Sequence, residues 1–106
     1  MLKPHWFQIL LSVAEGPMHG LAIQEEVLQR TDGEMHLWPA TLYRSLQHLE
    51  EAGLLREVSS PDGSGTAAGQ PRYYRLTGDG HAELGREVER LERYVEAARA
   101  KRVGEV

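Results

Sequence analysis

Five histidines, His5, His19, His36, His48 and His81, are the side chains of this 106-residue chain best suited to ligate a metal or move a proton. Their spacing supports neither role. No two stand four apart on one helix, and a chain without cysteine has no Cys-x-x-Cys to complete a zinc set. Its serines and histidines form no nucleophile elbow or other catalytic signature. Gly78-x-Gly80 opens a helix but lacks the Lys-Ser/Thr of a P-loop and the length of a dinucleotide fingerprint, so helix capping and close packing account for it. Metal, cofactor and catalysis are therefore not expected.

A different chemistry is available between Pro39 and Ala52. At 100° per residue, Ala40, Thr41, Tyr43, Arg44, Gln47 and His48 turn away from the stripe Leu42, Leu46, Leu49. Arginine can hold guanine and glutamine can hold adenine through paired hydrogen bonds, while the hydroxyls of Thr41 and Tyr43 suit phosphate oxygens. A solvated helix face is the plain alternative. Glu50 and Glu51 would be repelled by phosphate, but they fall at the C-terminal end, where such a helix leaves the groove. In the later stretch Arg72–Leu76, an inward Leu76 sends Tyr74 to the core and Tyr73 and Arg75 to the other face. Arg72, Tyr73 and Arg75 then become candidate contacts to a DNA backbone, against a structural account in which tyrosine covers a core edge and arginine is solvated.

The surrounding pattern supplies the elements that would position these groups. The spacing predicts a first helix over His5–Glu15, apolar on more than one side through Trp6, Phe7, Ile9, Leu10, Leu11, Val13 and Ala14, and stopped by Gly16-Pro17. A second helix runs from His19 or Gly20 to Thr31, with Ile23 and Val27 inward, Glu26 set to pair with Arg30, and Asp32-Gly33 closing it. Alternation over Glu34–Trp38 predicts a very short strand. Pro39 opens the third helix and Gly53 ends it. Leu54–Ser60 and Arg72–Leu76 read as the strands of a hairpin with a long tip over Pro61–Pro71. Thr77 caps a last helix reaching about Lys101, whose Leu84, Val88, Leu91, Val95 and Ala98 are spaced 4, 3, 4 and 3 apart.

The expected fold is mainly α with a small β-hairpin: a winged helix-turn-helix over residues 1–76, followed by a long helix over 77–106. At this point three segments resemble a family. Ile9-Leu10-Leu11-Ser12-Val13-Ala14-Glu15-Gly16-Pro17-Met18-His19-Gly20, Thr41-Leu42-Tyr43-Arg44-Ser45-Leu46-Gln47-His48-Leu49-Glu50 and Tyr73-Tyr74-Arg75-Leu76-Thr77-Gly78-Asp79-Gly80 are similar, in order and separation, to PadR-type transcriptional regulators. The resemblance implies a bacterial homodimeric regulator, usually a repressor, of the short subclass with one C-terminal dimerisation helix. It also implies double-stranded DNA as partner and, in many members, a response to small aromatic or drug-like compounds; because a two-fold dimer repeats each contact, the expected operator is a palindrome. The chain departs from the family pattern at the hairpin tip, which is Gly, Ala and Ser where relatives carry Lys or Arg. Leu21 stands where many members have tyrosine, and Trp38 where they have a small residue.

Composition agrees with one small domain: 41% hydrophobic, 26% charged, with a net charge of −4 from 12 basic and 16 acidic residues. No apolar run approaches a membrane span and the N-terminus lacks the features of a signal peptide, so the expected location is the cytoplasm. The acidic balance opposes non-specific binding to a polyanion, leaving a dimeric module that contacts protein through its third helix as the alternative. The last helix, about 25 residues and roughly 37 Å, is longer than a domain of this size can cover, which makes a second copy its expected partner. The expected dimer residues are Trp6 and Leu10 of the first helix with Leu84, Val88, Leu91, Val95 and Ala98 of the last.

Overall fold

The computed structural model describes residues 1–59 and 72–105. Its elements run α1 (Pro4–Ser12), β1 (Met18–His19), α2 (Gly20–Arg30), α3 (Pro39–Glu51), β2 (Leu55–Val58), β3 (Tyr73–Leu76) and α4 (Gly78–Ala100). The expected hairpin tip over Pro61–Pro71 lies outside the described residues.

Pro4 sits at the start of α1, where its missing N–H has no partner to lose. The helix ends at Ser12, short of the expected Glu15, with Val13 as C-cap and the N–H groups of Ala14 and Gly16 turned back on Leu11 and Val13. That early exit lets the chain bring Met18 and His19 alongside β3, pairing Met18 with Tyr74 and His19 with Tyr73. The result is a three-stranded antiparallel sheet in the order β1-β3-β2, rather than a two-stranded hairpin. The strand expected over Glu34–Trp38 does not form. Its alternation instead fills the core from a loop, with Leu37 buried, Met35 packed on the core, and the Met35 N–H bonded to Thr31 Oγ1 at 3.0 Å.

His19 caps α2 by accepting the Ala22 N–H on Nδ1 at 3.2 Å, and Asp32 and Gly33, at φ 53° and 81°, turn the chain out of the helix as expected. Arg30 pairs with Glu26 at 2.8 Å and also reaches α1, donating to Gln8 Oε1, the Gln8 carbonyl and Ser12 Oγ, each at 2.9 Å. Ile9 and Leu10 of α1 with its C-cap Val13, Ile23 and Val27 of α2, and Leu42, Leu46 and Leu49 of α3 meet in a core that excludes solvent almost completely. Each such side chain contributes roughly 1.5–3 kcal/mol by burial. Tyr74 and Leu55 close it from the sheet.

Thr77 caps α4 by accepting the Gly80 N–H at 2.9 Å and donates its hydroxyl to the Gly53 carbonyl at 2.6 Å. The next turns lie on the body of the protein: Leu84 is buried, and so is Glu87, which accepts the Leu2 N–H at 3.5 Å and pairs with Arg90. Beyond Val88 the helix runs clear of the core, giving the molecule a long axis of 56 Å. Among the described residues no helix is long and apolar enough to cross a membrane.

Candidate nucleic-acid interface

The buried side of α3 is Leu42, Ser45, Leu46 and Leu49, and the opposite side presents Thr41, Tyr43, Arg44, Gln47 and His48, all exposed. The helical period therefore separates packing from presentation as expected. Tyr43 is not free over its whole length. Its ring lies on the start of α2, so close that a Cβ on Gly20 would stand 3.0 Å from the hydroxyl and 3.2 Å from a ring carbon. A side chain at position 20 would push the Tyr43 ring by a few tenths of an ångström. Gln47 donates to Glu51 at 3.2 Å, and the His48 ring faces the Trp6 ring at 6.0 Å. Arg44 carries a positive charge without an ion-pair partner among the described residues.

At the sheet, alternation holds: Tyr74 is buried and Arg75 exposed. Tyr73 is half-buried, edge-on to His19 with ring centroids 5.4 Å apart. Arg72 does not join Arg75. Two residues from Tyr74, it takes the other face and lies 3.7 Å from the Glu57 carboxylate. The residue brought beside Arg75 is Arg56, its register partner on β2. Sequence reasoning missed Arg56, although the same alternation applied to β2, with Leu55 inward, was available to find it. Near the C-terminal end of α3, burial and then the Glu57 carboxylate hold Glu50 above the usual carboxylate range, with Arg72 opposing the shift and Glu51 adding to it. Glu50, Glu57 and Arg72 thus act on one another at this end of the helix.

Comparison with known proteins fits this layout. The model of the family described as "Transcriptional regulator PadR-like family" matches residues 9–86, from α1 to the third turn of α4. The chain belongs to the PadR-like family. A Lysinibacillus sphaericus protein described only as uncharacterized protein X is 31% identical over 85 residues, 79% of this chain and 75% of its own length. A transcriptional regulator from Clostridium thermocellum superposes with a TM-score of 0.74 at 21% identity, over 94% of this chain and 92% of that one. Bacillus subtilis PadR, solved in complex with operator DNA, superposes with a TM-score of 0.68 at 18% identity, over 83% of this chain and 48% of its own. These likenesses establish the winged helix-turn-helix fold of this PadR-like regulator.

A second surface of the PadR-like chain lies where α4 leaves α1. Phe7, Val88, Leu91 and Val95, with Glu92 and Glu96 at the edge, line an apolar groove of about 370 Å³. The expected pairing residues divide here between core and surface. Leu10 is fully enclosed and Leu84 is 6% exposed, so both pack in the chain's own core. Trp6 turns toward His48 and the Lys3 ammonium, 4.9 Å above its ring, and it is Phe7 that lines the groove from α1. Val88, Leu91, Val95 and Ala98 remain on the uncovered length of the helix, Leu91 and Val95 being 39% and 49% exposed.

Proposed function

We propose that this protein is a sequence-specific DNA-binding transcriptional regulator that acts as a symmetric homodimer and represses the genes it controls. The observation that carries the reading is the exposed Thr41–Tyr43–Arg44–Gln47–His48 face of α3, held rigid by three fully buried leucines. In this reading α3 enters the major groove, Arg44 reads guanine, and Thr41 and Tyr43 position the helix on phosphate. Arg56 and Arg75, two like charges opposed across the ladder, are costly without an anion and favourable around a phosphate. Arg72, engaged with Glu57, is a lesser contributor.

A net charge of −4 makes a concentrated patch the natural way for this chain to hold DNA, and a two-fold doubles that patch. The dimer is supported by the groove of Phe7, Val88, Leu91 and Val95, which a second α4 would fill. Two-fold symmetry calls for a palindromic operator with half-sites about one helical turn apart. Relief by a small aromatic or drug-like compound completes the proposal.

Selection of duplexes from a random-sequence library tests it. A palindrome should be enriched, and Arg44→Ala should lose affinity and flatten base preference. Arg75→Ala should weaken all duplexes alike and lower the salt slope by about one for each phosphate no longer neutralised. No enriched sequence at low salt, with the dimer intact, refutes the reading in favour of an α3 surface that contacts protein.

A further inference from the structure

The start of α3 goes against two local preferences at once. The residue before Pro39 is the N-cap, a place for Ser, Thr, Asp or Asn, whose side chain accepts an N–H of the first turn. Trp38 stands there and makes no side-chain cap hydrogen bond among the described residues. Its ring is 64% exposed, an unusual position for the largest apolar side chain. Departures of this kind gather where function outweighs stability.

The exposed ring is nevertheless held in place. His36 stacks on it with centroids 3.8 Å apart and planes 10° from parallel, and the His36 Nε2 is hydrogen-bonded to the Gln24 side chain of α2 at 3.2 Å. One face of the indole is covered and its plane is set, leaving the other face to meet a ligand with little further loss of freedom. Leu21, one turn before Gln24 on α2, is also 64% exposed.

Position selects the ligand. Trp38 stands at the N-terminal end of the helix that carries Thr41 and Arg44, and in a helix-turn-helix that end meets the base edges. An indole face there suits a thymine methyl or a deoxyribose, and the indole N–H can donate to a phosphate oxygen. We infer that Trp38, backed by His36 and Gln24, is a DNA-reading residue of this chain: an aromatic wall against the duplex that favours thymine at the adjoining position. The inference rests on α3 being the DNA-binding helix.

The experiment uses the full chain and a duplex enriched from random sequence by the wild-type protein. If none is enriched, the α3 reading and the Trp38 inference fall together. With an enriched duplex, Trp38→Ser is expected to bind roughly ten-fold more weakly and to lose one base preference. Its melting temperature should be unchanged or higher, because serine supplies the absent cap. Trp38→Phe, which keeps an aromatic face, should stay within about three-fold of wild type. In a Trp6→Phe background the fluorescence of Trp38 should be quenched when the duplex is added. Wild-type affinity and base preference in Trp38→Ser, or unquenched Trp38, alongside loss of the site in Arg44→Ala, overturns the Trp38 inference and leaves the α3 reading standing.

Discussion

Gly80→Ala isolates the contact that sets the direction of α4. A methyl group at this position would be placed 2.1 Å from the Leu54 carbonyl oxygen and 2.8 Å from Leu76 Cδ1. Such atoms come to rest at about 3.5 Å, and the oxygen is backbone that cannot rotate aside, so α4 has to lift by about 1 Å. Two hydrogen bonds hold it down: the Thr77 N–H to Leu54 O at 3.1 Å and the Thr77 hydroxyl to Gly53 O at 2.6 Å. Losing both costs about 2 kcal/mol, and looser packing of Leu84 adds about 1–2 kcal/mol. The better helix propensity of alanine returns about 1 kcal/mol, for a net loss of about 2–3 kcal/mol. At about 4 °C or more per kcal/mol, the melting temperature should fall by about 10 °C. Circular dichroism at 222 nm, at one fixed protein concentration because the stability of the proposed dimer would depend on it, measures this directly. Gly85→Ala is the control: a Cβ there meets nothing within 4 Å among the described residues, so it should gain up to about 1 kcal/mol. Gly80→Ala melting at or above wild type would falsify the close approach of α4 to the α3–β2 turn.

The other predictions concern the groove and the acidic end of α3. Leu91→Glu should put a carboxylate from each copy into the proposed dimer seam, where an unpaired charge costs several kcal/mol, and sedimentation should then show monomer; a dimer persisting at micromolar concentration places the interface elsewhere. Glu50 has a folded-state pKa above its unfolded one, through burial and Glu57, so its protonated form favours the fold and that contribution is lost as pH rises through the folded pKa. Glu50→Gln should accordingly raise the melting temperature at pH 7 and leave it nearly unchanged at pH 4, where the carboxyl is largely protonated in both states; an equal effect at both values would mean that packing, not charge, governs the position.

Much of α3 was legible because one period governs it. Leucines at 42, 46 and 49 fix the buried side of a helix, and the side chains that remain for a partner follow by rotation. The caps were legible too: Thr77 and Asp32-Gly33 act within a few residues of themselves, so no distant contact can reassign them. The Glu26–Arg30 pair was readable for the same reason. Its extension to Gln8 and Ser12 was not, because those partners lie 22 and 18 residues away.

The sequence by itself determined the order of the four helices and of the two hairpin strands, the exposed face of α3 and the acidic balance, since each can be read along the chain. Only the tertiary structure decided what those elements meet. Met18 and His19 have no strand pattern of their own and become β1 because β3 has an open edge beside them. Arg56 rather than Arg72 joins Arg75 because ladder register, set by the whole hairpin, chooses which side chains face each other. The apolar seam of α4 reads alike from Leu84 to Ala98, yet Leu84 lies in the chain's own core while Leu91 and Val95 run past it. Periodicity gives the side of a helix that is apolar. How far along that side cover extends depends on where the rest of the chain ends, and no local pattern carries that length.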